Sequence, residues 1–177
     1  MFRLVPYLSM PAEFRAYDPQ VVEVARFLGS AIQGVEPLLR VEHVGSTSVP
    51  GCGGKGIIDL MVLHPEGLLA RARTVLDDSG FQKQSGRELF PESRPMRVGR
   101  VEHAGRSFQI HAHVIALGSD EHRELICFRE ALRASSELRH RYEERKRAIL
   151  AMGIEDSIDY CKAKGSFITD VLKEALK

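Results

Sequence analysis

The stretch "GIIDLMVL", residues 56–63, is a continuous apolar run with one carboxylate, Asp59, inside it. Such a run suits a central strand covered on both faces, so the chain must build layers on each side of a sheet. The carboxylate adds a second demand, because an unpaired buried charge costs on the order of several kcal/mol. Asp59 therefore stands at an end of its strand, pairs with nearby Lys55, or serves a site.

Just upstream, "VEHVGSTSVPG" over 41–51 reads as a strand running into a turn of small hydroxyl residues. Gly45 lets the backbone turn without a side-chain clash, and Ser46, Thr47 and Ser48 offer hydroxyls and backbone amides to an anion. Gly53-Gly54 keep the next segment open to close approach, and Lys55 adds a compact positive charge. Neither a Walker lysine nor a dinucleotide glycine pattern accompanies the turn. On composition alone it is equally an ordinary solvated loop. Phosphate donors, a lysine and a metal-capable carboxylate nonetheless fall within fifteen residues, on two adjacent strands.

Asp18-Pro19 opens a helix over 19 to about 34, where Val21, Ala25, Leu28, Ile32 and Val35 recur at near-helical spacing. A second helix spans 66–80 and stops at Gly80. A polar loop containing Pro and Arg occupies 82–95, and "MRVGRVEHA" and "SFQIHAHVIAL" follow as a hairpin joined through Gly105-Arg106. From Ser119 onward the apolar stripes are helical: Leu125, Phe128 and Leu132, then Leu138, Tyr142 and Ile149, then Ile158, Cys161, Ile168 and Leu172. With 177 residues and 44% hydrophobic content, one α+β domain over 1–177 is expected. Its mixed sheet falls in about 1–118 and its C-terminal helices in about 119–177.

The 25 basic and 24 acidic side chains nearly cancel, so nothing global draws the chain to nucleic acid or a membrane surface. No stretch approaches the ~20 apolar residues of a membrane span. The N-terminal "MFRLVPYLSM" is broken by Pro6 and too short for a signal peptide. Cys52, Cys127 and Cys161 lack CxxC spacing and suit free thiols in a reducing compartment, so a cytoplasmic protein is expected.

"QIHAHVI" sets His111 and His113 on one strand face, with Ile110, Ala112 and Val114 on the other. This is the pattern of hydrogen-bonded structural histidines as well as of metal ligands. Tyr142 with Lys146, and Tyr160 with Lys164, stand at helical i, i+4 spacing, which can set an aromatic face beside a phosphate-binding ammonium. Tyr142 also lies on an apolar stripe, so it is equally a core residue with a snorkelling lysine nearby.

The segments "EHVGSTSVPG", "KGIIDLMV", "IHAHVI", "CFREAL" and "YCKAKGSFI" resemble the GrpB family (UPF0157) of the nucleotidyltransferase-like superfamily, over roughly 41–168. The most specific part is the string His-x-Gly-Ser-Thr-Ser-x-Pro-Gly that begins at His43. The resemblance implies a nucleotidyltransferase-like mixed sheet flanked by helices, with the C-terminal helices closing its open side into an anion pocket. It implies Asp59 and Ser46 as catalytic residues, and a nucleotide or other phosphorylated small molecule as the partner. Gly45, Ser46, Thr47, Ser48, Lys55, Arg129, Tyr142, Lys146, Tyr160 and Lys164 would face that ligand. Asp59, His111 and His113 would hold a divalent metal, Mg or Mn, with His43 orienting them. A mixed carboxylate and imidazole set suits Mn, Zn or Fe better than Mg.

The superfamily carries a second carboxylate two residues after the first, on the same strand face. Here that position is Met61, which removes a ligand from a two-magnesium site. Three functions are open, the first two from the resemblance and the third from the residues themselves. The first is a metal-dependent nucleotidyl or phosphoryl transferase. The second is a non-catalytic module for a nucleotide or coenzyme-A-related ligand, since GrpB-like domains also occur fused to a coenzyme A biosynthetic kinase. The third is a hydrolase that uses His43, Asp59, His111 and His113 around a metal-activated water.

Overall fold

A computed structural model of the chain describes residues 3–86, 88–154 and 156–175. Met1 and Phe2 of the N-terminal stretch, Arg87 of the 82–95 loop, and Glu155, Leu176 and Lys177 of the domain read over 1–177 lie outside them. The strands are β1 (Arg3–Val5), β2 (Arg40–Val44), β3 (Ile58–His64), β4 (Gln82–Lys83), β5 (Met96–His103) and β6 (Arg106–Ala116). The helices are α1 (Gln20–Val35), α2 (Leu69–Asp78), α3 (Asp120–Ala134), α4 (Ser136–Ala151) and α5 (Ser157–Ala175). All six strands join one sheet in the order β1-β5-β6-β3-β2, with β4 paired to the same outer edge of β5 as β1. Only β3 and β6 pair in parallel, which makes the sheet mixed and the fold α+β.

The apolar run of β3 is buried on both faces because helices cover each side. On one face Ile58, Leu60 and Val62 join Ile110, Ala112 and Val114 of β6 beneath α1 and α2. On the other, Met61 and Leu63 join Val44 and Ile115 beneath Leu125 and Ile126 of α3. Asp59 belongs to this second face by strand alternation. A third cluster packs Val49 and Cys52, just beyond β2, against Leu132, Tyr142, Phe128 and Phe167 of the C-terminal helices.

Several boundaries depart from the periodicity. The hairpin turn is Ala104-Gly105, one residue earlier than Gly105-Arg106, with φ of 50° and 74°. Two successive left-handed residues make the tight turn whose twist matches that of the strands, so Arg106 enters β6 opposite His103. Gln82 and Lys83 pair with β5, which leaves 84–95 as the connecting loop. The inward face of α5 runs through Tyr160 and Val171, with Phe167 and Ile168 half-buried, whereas Cys161 is exposed. All three cysteines are free thiols. Among the described residues no helix is long and apolar enough to cross a membrane.

The 84–95 loop is anchored from beneath. Arg97 of β5 is 2% exposed and ion-pairs with Asp77 of α2 at 2.6 Å and with Glu92 of the loop at 3.0 Å. Its planar fork meets both carboxylates with paired hydrogen bonds. Replacing it by Leu should lower unfolding free energy by about 1.5–3 kcal/mol, the range for hydrogen bonds to charged groups. It should also make 84–95 the first site of proteolytic nicking. Urea unfolding together with limited proteolysis checks this, and wild-type behaviour in both would remove the anchoring role.

Candidate functional site

The site forms where β2 ends against β3. Gly45 has φ 71° and ψ −176°, a region open essentially only to glycine. A Cβ at this position would also overlap the Asp59 carboxylate. The missing side chain is thus what lets the turn lie against Asp59. A single 3-10 turn follows at Ser46–Ser48.

The three hydroxyls of that turn have different duties. Ser48 Oγ donates to the Gly45 carbonyl at 2.7 Å, and Thr47 Oγ1 donates to the Ile57 carbonyl at 3.0 Å. Having spent its only proton there, Thr47 accepts from His43 Nε2 at 2.9 Å. Among the described residues Ser46 Oγ makes no hydrogen bond. It lies beside Gly54, where a Cβ would come within 2.6 Å of it. Ser46 is therefore the hydroxyl available to a ligand, while Thr47 and Ser48 hold the turn's shape.

Asp59, His111 and His113 converge from the neighbouring strands. In the parallel β3–β6 register Asp59 stands opposite His111 and Met61 opposite His113, so alternation puts both imidazoles on the Asp59 face. Asp59 Oδ1 lies 3.6 Å from His111 Nδ1 and 3.7 Å from His113 Nε2. One donor atom from each of the three residues falls within 4.8 Å of the others. A divalent ion with bonds of about 2.1 Å spaces neighbouring donors by roughly 3.0–3.4 Å, so a small inward movement would let this set hold one.

The charges suit that role. Burial pushes the Asp59 carboxyl up, but the His113 contact and the charges of His111, His113 and Lys164 outweigh it and hold the carboxyl below its usual range. Burial, against the Asp59 charge, pulls His111 down to about 4. At neutral pH the pair is a carboxylate beside an uncharged imidazole, the protonation state that binds metal.

Two residues that no local pattern marked hold the histidines from behind. Tyr7 Oη lies 3.1 Å from His111 Nε2, and burial, then the Asp59 charge, raises its phenol. Arg94 Nη1 lies 2.9 Å from His113 Nδ1. Tyr7 follows β1 and stands 104 residues before its partner, so sequence spacing carries no trace of the contact. Arg94 sits in the polar loop between Pro91 and Pro95, where no periodicity singles it out.

Beside the triad lie two ammonium groups. Lys55 Nζ is 5.1 Å and Lys164 Nζ 4.7 Å from the centre of the Tyr160 ring. Burial pulls Lys55 down. It also works against Lys164, yet Tyr142, Cys161, Tyr160 and Asp59 together hold that ammonium above the usual lysine range. Burial pushes the Tyr160 phenol up to about 12, so it stays protonated as a neutral platform for both cations. A cavity lined by Tyr7, Met10, Arg15, Lys55, Ile57 and Gln109 continues from this group.

The remaining expected site residues serve as framework. Lys146 is 1% exposed and donates to the Gly53 carbonyl, while Glu143 accepts from the Gly53 amide, so α4 holds the two successive peptide groups that flank the Gly53 Cα. Tyr142 packs edge-on against Phe128 and stacks on Phe167, at 5.2 and 5.3 Å, as a core aromatic. Arg129 bonds Glu42 and the His43 carbonyl, and Arg133 bonds the Ser48 carbonyl. His43 does not join Asp59: it stands opposite Leu60 on the other sheet face, and burial pulls it to about 4. Arg129, Tyr142, Lys146 and His43 thus shape the turn and its support, and do not line the opening.

Comparisons with known proteins bear on the family and the fold. A family model described as "GrpB protein" matches residues 11–174. A UPF0157 protein of Streptomyces coelicolor is 34% identical over 76% of this chain and 68% of its own length. One from Halalkalibacterium halodurans is 30% identical over 90% and 80%. The crystal structure of the conserved protein GrpB from Enterococcus faecalis aligns with a TM-score of 0.70 at 27% identity, over 93% of this chain and 97% of that one. The Cid1 poly(U) polymerase aligns with a TM-score of 0.50 at 16% identity, over 75% of this chain and 40% of that one, a likeness of fold.

Gly45→Ala should cost about 1–3 kcal/mol from backbone strain alone. Its overlap with Asp59 adds to that loss. Urea unfolding measures the cost, and a midpoint equal to wild type would contradict the packing described for this turn.

Proposed function

The chain belongs to the GrpB family, and from that premise we propose that it is a metal-dependent nucleotidyltransferase-like protein that binds a nucleotide or another phosphorylated small molecule beside Asp59. The observation that carries this reading is the convergence of Asp59, His111 and His113 at the point where the Gly45-Ser46 turn meets β3. The fold likeness to Cid1, described as a poly(U) polymerase, points the same way without naming a substrate for this chain.

In this reading Asp59, His111 and His113 hold one divalent ion, with Mn, Zn or Fe favoured over Mg by the imidazoles. When bound, that ion would neutralise phosphate charge. Lys55 and Lys164 attract the rest of the phosphate, and the Ser46 hydroxyl offers it a hydrogen bond. Transfer from a triphosphate requires positioning and charge stabilisation more than a protein nucleophile. The buried Cys52 fits this, since burial raises its thiol and Lys146 covers it.

A second reading has its own support. Met61 is 0% exposed beneath α3, so the place of a second strand carboxylate is filled by core. A module that kept the cleft and gave up transfer would look like this, and would bind its ligand without needing metal. The hydrolase reading loses one of its four residues, because His43 faces the opposite side of the sheet.

Thermal denaturation with a panel of nucleoside triphosphates, with and without Mn, decides between the first two. A ligand at about 100 times its Kd stabilises the native state by about 2.7 kcal/mol. For a chain of this size that is a rise in Tm of roughly 5–10 °C. The rise should require metal, vanish in Asp59→Asn and shrink in Lys164→Met. A rise that ignores both metal and Asp59 would select the binding module, and no rise with any nucleotide would end the nucleotide reading.

A further inference from the structure

The two histidines of the triad are not equivalent as metal ligands, and the difference lies in what stands behind each ring. A guanidinium has donors only, so the 2.9 Å contact between Arg94 Nη1 and His113 Nδ1 makes Nδ1 the acceptor. The neutral ring then carries its hydrogen on Nε2, the nitrogen that faces Asp59 Oδ1 at 3.7 Å. A metal at Nε2 needs the reverse arrangement: a lone pair on Nε2 and an N–H on Nδ1 given to an acceptor. With Arg94 seated, that N–H would point at another N–H. His111 meets no such conflict, because its partner is the Tyr7 hydroxyl, which accepts as readily as it donates.

The Arg94 seat is well built. Its Nε donates to Glu121 Oε2 at 2.9 Å and its Nη2 to Glu121 Oε1, in the first turn of α3. The Phe90 ring lies 4.4 Å from its guanidinium carbon and packs edge-on against His113 at 5.7 Å. Arg94 therefore ties the 84–95 loop to α3 and to one ligand of the triad at once.

We propose that Arg94 is a positioning residue that competes with the metal for His113, so that the full Asp59, His111 and His113 set forms only when the guanidinium leaves Nδ1. The proposal rests on the metal reading above. In the seated state His111 is the imidazole of the triad that is ready to ligate. Once the guanidinium leaves, His113 can turn its lone pair to the metal and Nδ1–H to solvent. By linkage, anything that draws Arg94 away strengthens metal binding, and metal binding frees Arg94 by the same factor.

The experiment measures Mn(II) affinity by electron paramagnetic resonance of the unbound ion, alongside thermal denaturation. It compares wild type, Arg94→Ala, His113→Ala and the double variant. Arg94→Ala should bind Mn(II) at least tenfold more tightly than wild type. His113→Ala should erase that gain in the Arg94→Ala background, so that the two substitutions combine non-additively, which loss of structure would not produce. Arg94→Gln, whose amide oxygen can accept from Nδ1–H, should reproduce the gain, and Arg94→Lys, again donor-only, should not. If Arg94→Ala does not fold, Glu121→Gln loosens the same seat and should raise affinity in the same direction. Equal or weaker Mn(II) binding in folded Arg94→Ala and Arg94→Gln would overturn the competition while leaving the metal reading intact. No Mn(II) binding by wild type or any variant would overturn both.

Discussion

Everything around β3 answers to one difficulty, the charge of Asp59 within a strand whose other side chains are apolar. A carboxylate in that position survives only where the surroundings supply positive charge, hydrogen-bond donors or solvent. Here the side chain remains 29% exposed, on the same sheet face as the cluster that α3 covers. Gly45 gives it room on one flank, the β6 histidines stand on the other, and the charge of Lys164 reaches it from α5. The opening in the fold and the stability of its central strand are two aspects of one arrangement.

The supporting structure divides into a fixed half and a tethered half. The turn after β2 is fixed: Arg129 of α3 donates to the His43 carbonyl at the end of β2, Arg133 donates to the Ser48 carbonyl on the turn, and Glu143 and Lys146 of α4 hold the amide and the carbonyl of Gly53 just beyond. Because these polar groups are satisfied by the chain itself, few are left to compete for a ligand. The opposite wall is the 84–95 loop, held by Arg97 from below and by the pairing of Arg94 with Glu121 above. Side-chain ion pairs at partly exposed positions are weaker restraints than a clamped peptide. The half of the site that carries Arg94 is thus the more readily rearranged.

Local periodicity was enough to read most of the fold. The unbroken apolar run announced a strand covered on both faces, and alternation in "QIHAHVI" placed both histidines on one side. Asp59, Ser46, Lys55 and the histidine pair were legible as candidates because each lies in or beside a recognisable strand end, and Lys164 was legible through the family resemblance. What could not be read depends on contacts far apart in the chain. Lys146 and Arg129 look like ligands for phosphate until packing shows which carbonyls they meet. Tyr7 and Arg94 sit in segments with no period at all, and they matter only because the sheet brings the β6 rings to them. His43 was misplaced for a simpler reason: in a strand that pairs Val44 with Asp59, position 43 must face the other way.

The two-residue turn at Ala104-Gly105 sets the phase of β6. One strand supplies alternate residues to two ends: Ile110, Ala112 and Val114 to the core, His111 and His113 to the opening. A slip of one residue would drive the imidazoles beneath α1 and α2 and expose three apolar side chains, so it would be rejected at folding before any chemistry could be tested. Hydrophobic burial therefore proofreads the placement of the polar pair. Selection on stability alone would preserve the geometry of this site through long periods in which its activity was not under selection.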